Sequence, residues 1–229
     1  MRLVLCALLA AGCHRPSPVA PPVTNTVGAP TPAVRTSPYP PVDIPFMARG
    51  YFFASSELDH GLGGNGTFDN APRPNTLLAD VPGARSGLYV AVLPDSVAPF
   101  EQKFDGVRVV VVNDSLMPVP FQAQDSRLEI LHEAKDEHGD WKPIEFLPSS
   151  WCGNSYHTLT LPAGRHWEFT APHYTGTYAT KLRVKVVAGD HQHEQVLYSN
   201  EFAGRINPTQ FTERQAVGST NVMDPYGGP

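Results

Sequence analysis

Val107 to Phe146 reads VRVVVVNDSLMPVPFQAQDSRLEILHEAKDEHGDWKPIEF, and the reading of this stretch decides the fold. Val107 to Val112 is β-branched almost throughout and stops at Asn113-Asp114-Ser115. A short, unbroken apolar run of this kind predicts a strand covered on both faces. Arg127 to Ala134 alternates: Leu128, Ile130 and Ala134 share one parity, while Arg127, Glu129 and Glu133 take the other. Asp136 to Asp140 supplies a glycine-containing turn, and Trp141 to Phe146 returns. Pro143 assigns that return strand to an edge, because proline cannot donate to a ladder.

The same pattern continues on both sides. Upstream, Met47 to Ala54 and Leu88 to Leu93 read as strands, the latter closed by Pro94-Asp95, and Ala98 to Lys103 as a turn or short helical piece. Downstream, strands are expected at Tyr156 to Leu161, His166 to Thr170, Tyr178 to Val186 and Gln195 to Asn200, with Ile206 to Phe211 capping the sheet. Tyr178, Thr180, Leu182, Val184 and Val186 face inward, against Lys181, Arg183 and Lys185 outward. About eight short strands with turns every 8 to 12 residues predict an all-β fold, a single antiparallel sandwich.

Four segments carry a resemblance. They are Val112-Asn113-Asp114-Ser115 after the first core strand, Leu161-Pro162-Ala163-Gly164, the run Gly176 to Val184, and Tyr198-Ser199-Asn200-Glu201-Phe202. In this succession the chain from about 107 to 202 resembles bacterial immunoglobulin-like domains. The resemblance implies a β-sandwich and leaves its binding role open. The cysteine-tryptophan-cysteine signature of antibody domains is absent.

The N-terminus speaks to address. Arg2, the apolar run Leu3 to Leu9 and the small residues Ala10-Ala11-Gly12 have the form of a secretory signal peptide. Leu9-Ala10-Ala11-Gly12-Cys13 resembles the lipobox of bacterial lipoproteins, with Ala10 where that family more often has leucine. The resemblance implies cleavage before Cys13, a lipid on that cysteine and anchoring in the bacterial envelope, with the outer membrane expected. The folded part would then sit in the periplasm or on the cell surface. Ten of the 24 prolines fall between Pro16 and Pro45, which predicts an extended tether reaching up to about 90 Å at about 3.1 Å per residue. The expected organisation is a signal peptide over 1–12, a lipid-anchored proline-rich linker over 13–42, the sandwich over 43–212 and a disordered tail over 213–229.

Charge and cysteine content limit the function classes. A net charge of −5 argues against nucleic acid as a partner. With Cys6 in the signal and Cys13 lipidated, Cys152 stands alone, so stability rests on a packed core rather than a disulfide. The reading is a non-enzymatic binding or assembly module of the envelope, with no cofactor and an envelope protein or glycan as partner. Trp151, Asn154, Tyr156 and Tyr174 are its candidate contact residues, because loops on a rigid sandwich carry function.

Two alternatives remain open. Cys152 with His157 or His132 could make a nucleophile–base pair of an envelope enzyme. His132, His157, His191 and His193 could hold copper or zinc, although Asp190 to Glu194 reads as a solvated hairpin tip. Gly61 to Gly66 satisfies G-x-G-x-x-G without the strand and helix that a dinucleotide site needs. Glu57, Asp59, Asn65 and Asp69 offer oxygens to a calcium ion at no EF-hand spacing.

Overall fold

The computed structural model describes residues 36–56, 69–78, 81–190 and 192–216. The expected signal peptide, Cys13 and all but the end of the tether lie outside the described residues. So do His191, the glycine-rich run at 61–66, Glu57, Asp59 and Asn65, and the chain from 217 onward.

Fourteen strand segments run through the described residues. In chain order they are β1 (Ala48–Arg49), β2 (Arg73–Pro74), β3 (Gly87–Phe100), β4 (Phe104–Asp114), β5 (Val119–Gln124), β6 (Arg127–Leu128) and β7 (Ile130–Lys135). There follow β8 (Trp141–Pro143), β9 (Glu145–Phe146), β10 (Tyr156–Leu161), β11 (Arg165–Pro172), β12 (Tyr178–Ala188), β13 (Gln195–Tyr198) and β14 (Phe202–Ile206). An antiparallel sheet has the order β2-β11-β4-β3. A second has the order β13-β12-β7-β8, with β14 pairing the first half of β12 on the edge that β13 takes further along. β10, β5 and β6 form a third antiparallel sheet, and β1 lies parallel to β9. The fold is an all-β sandwich.

The valine run explains its own burial. Val107, Val109 and Val111 face the main core with Trp167 and Phe169 of β11, opposite Phe121, Leu159 and Val184 from the facing sheets. Val110 and Val112 point the other way and pack with Tyr89 and Ala91 in a smaller outer cluster. Both faces are therefore covered, as a continuous β-branched strand requires. The strand ends at Asn113, which is fully buried and ties three loops. Its Nδ2 donates to the carbonyls of Met117 (2.8 Å) and Leu161 (3.0 Å), and its Oδ1 accepts from the Ser115 hydroxyl (2.6 Å). Its carbonyl accepts from Asn75 Nδ2 and from the Gly164 amide. A buried amide must be satisfied in this way, or it costs about 1–3 kcal/mol.

Several expectations are corrected. Pro94 does not close β3: the strand continues to Phe100 through a register shift between Leu93 and Ala98. Ser96 makes this possible, its hydroxyl donating to Leu93 O (2.6 Å) and accepting from Arg108 N (2.8 Å). A tight turn with positive φ at Glu101 (49°) and Gln102 (59°) then reverses the chain, which selects the turn of the two expected readings. Val119–Gln124 is a full strand that Pro118 just before it and Pro120 within it hid from the sequence pattern. Met47 to Ala54 contributes only β1 and two isolated bridges, Met47 to Arg214 and Phe53 to Arg127.

Arg127 and Glu133, of the parity opposite to Leu128 and Ile130, are buried as well. Arg127 stacks on Phe53 at 4.9 Å. Glu133 takes Arg183 at 2.6 Å, and that guanidinium lies over both Trp141 (4.2 Å) and Tyr198 (3.7 Å). The domain also extends past its expected limits. Pro40 accepts from the Asp105 amide, and Glu213 and Gln215, assigned to the tail, pair with Met47. Pro143 does lie on the edge strand β8.

Close backbone approach gives a direct test. A Cβ on Gly176 would clash with the backbone of Ile206 and Asn207, while one on Gly153 meets nothing within 4 Å. Gly176→Ala should lower the stability measured by urea unfolding by about 1–3 kcal/mol through overpacking. Gly153→Ala should stay within about 0.5 kcal/mol of wild type.

Candidate functional site

Two constructions in this fold go beyond packing. One is the loop from Ser149 to Tyr156. Ser150 organises it: the Ser150 hydroxyl donates to Ser155 Oγ (2.9 Å) and accepts from the Cys152 amide (3.1 Å). The Tyr156 hydroxyl closes the loop from the other side, donating to Ser150 O (3.0 Å) and accepting from Ser150 N (2.9 Å). Gly153–Ser155 forms a single 3₁₀ turn, and Ser155 O accepts from the Asp125 amide. Held by these bonds, Trp151 is 72% exposed and Tyr156 44%, with Asn154 also in solvent. Local hydrogen bonds thus hold an apolar ring in water before any ligand arrives.

Tyr174 is not part of that surface. It is buried, 2% exposed, and belongs to the second construction. Glu145, on the short strand β9, is 1% exposed, and a carboxylate without water needs donors. It has four contacts: the hydroxyls of Tyr51 and Tyr174 at 2.7 Å each, the His132 amide at 2.8 Å and His132 Nδ1 at 2.9 Å. An ionised carboxylate only accepts, so Nδ1 carries the proton. Burial works against ionisation of Glu145, but His132 and the surrounding donors outweigh it and hold the carboxyl below its ordinary value. The Tyr51 and Tyr174 phenols shift the opposite way, well above theirs, first by burial and then by the charge of Glu145.

The two phenols also line a cavity of about 220 Å³, walled by Phe46, Phe100 and Phe104. Asp43, Glu101 and Arg49 lie along the same wall, and Gln215 from the C-terminal segment closes it. The Tyr51 and Phe100 rings meet edge to face, with centroids 5.0 Å apart.

The other sequence candidates fall in separate places. His132 is the Glu145 partner, and His157 is buried with Nδ1 3.2 Å from Ser155 O. His193 lies on the exposed hairpin with Asp190. Among the described residues no group of three or more His, Cys, Asp and Glu converges as a metal site. Cys152 is a half-buried free thiol whose loop contacts run through its backbone. Lys181 and Arg183 of the basic stripe are answered by Glu201 (2.9 Å) and Glu133. Glu145 and Tyr51 were missed by the sequence reading. The available signal was a glutamate between Ile144 and Phe146, in a stretch that is otherwise apolar.

No family model matches the sequence, and no curated protein matches it. Among solved structures the chain is similar to a Bordetella pertussis protein provisionally assigned as ApaA. The likeness covers 55% of this chain and 99% of that one, at 12% identity and a TM-score of 0.31. At that score it carries no argument about fold or function.

The carboxyl shift sets a pH dependence. Because Glu145 ionises below its ordinary 4.5 in the folded chain, its contribution to stability is complete above that value. It is lost as pH falls through the lower folded value. Glu145→Gln should cost roughly 2–4 kcal/mol near neutral pH, since donors built for a carboxylate then face an amide. Its urea midpoint should also fall less than that of wild type on acidification. A wild-type midpoint at neutral pH would remove the network from its structural role.

Proposed function

We propose that this chain is a bacterial envelope lipoprotein whose immunoglobulin-like sandwich is a non-enzymatic binding or assembly module. A lipid on Cys13 holds it in the membrane, and the proline-rich segment ahead of Pro40 is the tether. The observation that carries the binding role is the loop locked by Ser150 and Tyr156, with Trp151 72% exposed at its surface. Pre-ordering the loop lowers the entropy that a partner's binding must offset. A tryptophan held in water is also the residue type most often found at the energetic centre of an interface. Asn154, exposed in the same loop, adds an amide able both to donate and to accept. This chemistry suits a partner with an apolar or stacking face and polar rim, such as an envelope protein or a glycan.

The anchor and the binding surface are tested together. Intact mass of the membrane-extracted protein should show a chain starting at Cys13 with added acyl mass. Cys13→Ser should lose that mass and move the protein to the soluble fraction. A photo-crosslinker at Asn154 should capture an envelope component in the wild-type background, and Trp151→Ala should reduce that capture by tenfold or more, as for a hot-spot residue worth about 2 kcal/mol. An unmodified, soluble wild-type chain would sink the anchor. Undiminished capture by Trp151→Ala would sink the loop as the contact.

A further inference from the structure

The cavity beside the Glu145 network has a composition that the loop reading does not use. Five of its lining residues are aromatic: Phe46, Tyr51, Phe100, Phe104 and Tyr174. Tyr51 and Phe100 meet edge to face at an interplanar angle of 73°, so the two rings are held against each other beside the cavity. Cavities that take neutral apolar ligands do not need charge of one sign around them. Here Asp43 and Glu101 lie in the wall against a single guanidinium, Arg49, and a third carboxylate, Glu145, sits directly behind the two phenols. Asp43 is held in place by Asn207 Nδ2 at 2.7 Å.

We propose that this cavity is a binding site for a quaternary ammonium group. The face of an aromatic ring is negative and attracts a cation within about 6 Å of its centre, more strongly once the cation is desolvated. A quaternary ammonium has no N–H to satisfy, so an aromatic wall can replace its water without leaving a donor unpaired. Both phenols donate their protons to Glu145, which leaves each oxygen with lone pairs toward its surroundings and pushes electron density into the ring. The carboxylates of Asp43 and Glu101 supply the longer-range attraction and select against anions. Two sources share this chemistry: a soluble compound such as choline, and the phosphocholine headgroup of a lipid.

The test uses the soluble domain carrying Cys13→Ser together with its full tether and C-terminal tail. Choline and tetramethylammonium are titrated by calorimetry and by NMR of the aromatic protons, beside 3,3-dimethylbutanol, the uncharged carbon analogue of choline. Both cations should bind with saturable shifts in the Tyr51 and Phe100 ring signals, and the uncharged analogue at least tenfold more weakly. Glu101→Gln, in an exposed turn, should weaken choline several-fold with an unchanged urea midpoint. Phe104→Leu should weaken it further. Phosphatidylcholine vesicles, compared with phosphatidylglycerol vesicles, separate the sources: co-sedimentation with the former alone assigns the lipid headgroup, and binding of free choline without co-sedimentation assigns the soluble ligand. No ring shifts at saturating choline would overturn the proposal. So would equal affinity for the uncharged analogue, which would leave an ordinary apolar pocket.

Discussion

The Glu145 carboxylate is the constraint around which one whole end of this molecule is arranged. A lone ionised carboxyl in a protein interior is unfavourable by several kcal/mol, and only a full set of donors offsets it. Those donors come from three places far apart in the chain: Tyr51 ahead of the sandwich, His132 on β7, and Tyr174 after β11. Their convergence demands that the N-terminal segment return across the sheet end. It does so through contacts that run parallel, β1 along β9, Val42 beside Tyr174 and Met47 beside Arg214, where the sheets themselves are antiparallel. A strap laid over a finished sandwich has no reason to be antiparallel to it, and its direction is set by where Tyr51 must arrive.

The aromatic packing at that end follows from the same point. His132 is edge-on to both Tyr174 and Phe202, and Tyr51 stacks on Phe52, which meets Phe169 of the main core edge to face. The polar network is thus enclosed by rings, and the rings are fixed by the network. Ile144, Leu182 and Ile206 complete a second apolar cluster beside it. The cavity lies against this cluster because Tyr51 and Tyr174 must point their hydroxyls inward at Glu145 and leave their ring flanks outside.

Alternation made much of the sandwich legible. β12 behaves as its parity predicts, with Leu182, Val184 and Val186 all buried. The inward parity of His132 and His157 was also readable, and both are buried. What failed were places where a side chain stands in for a backbone bond or a partner is remote. Pro94 looked like a terminus because nothing in a linear pattern shows that the Ser96 hydroxyl bridges the gap in the ladder. Pro118 and Pro120 hid β5 for a similar reason, since its pairing with β10 survives the missing donors. Tyr174 sat in an apparent turn between Pro172 and Gly176, and its burial depends on a hydrogen bond to a residue 29 positions away. The exposure of Trp151 and Tyr156 was legible because most of the bonds in their loop run to partners within six residues.

That contrast in range has a consequence for function. The Trp151 loop is held by short-range bonds and keeps its shape so long as β10 is paired. The cavity is held by long-range closure, with Val42 bridged to Tyr174 on one side and Gln215 bonded to Met47 on the other. The described chain enters the fold through Pro40 and Val42, and Val42 is itself part of the cavity wall, so restraint on this segment acts first on the cavity. A surface built locally is insensitive to such a load, whereas one built from both chain ends responds to it. The two surfaces therefore differ physically: the loop is set by its own short-range bonds, and the cavity by where the two ends of the described chain are held.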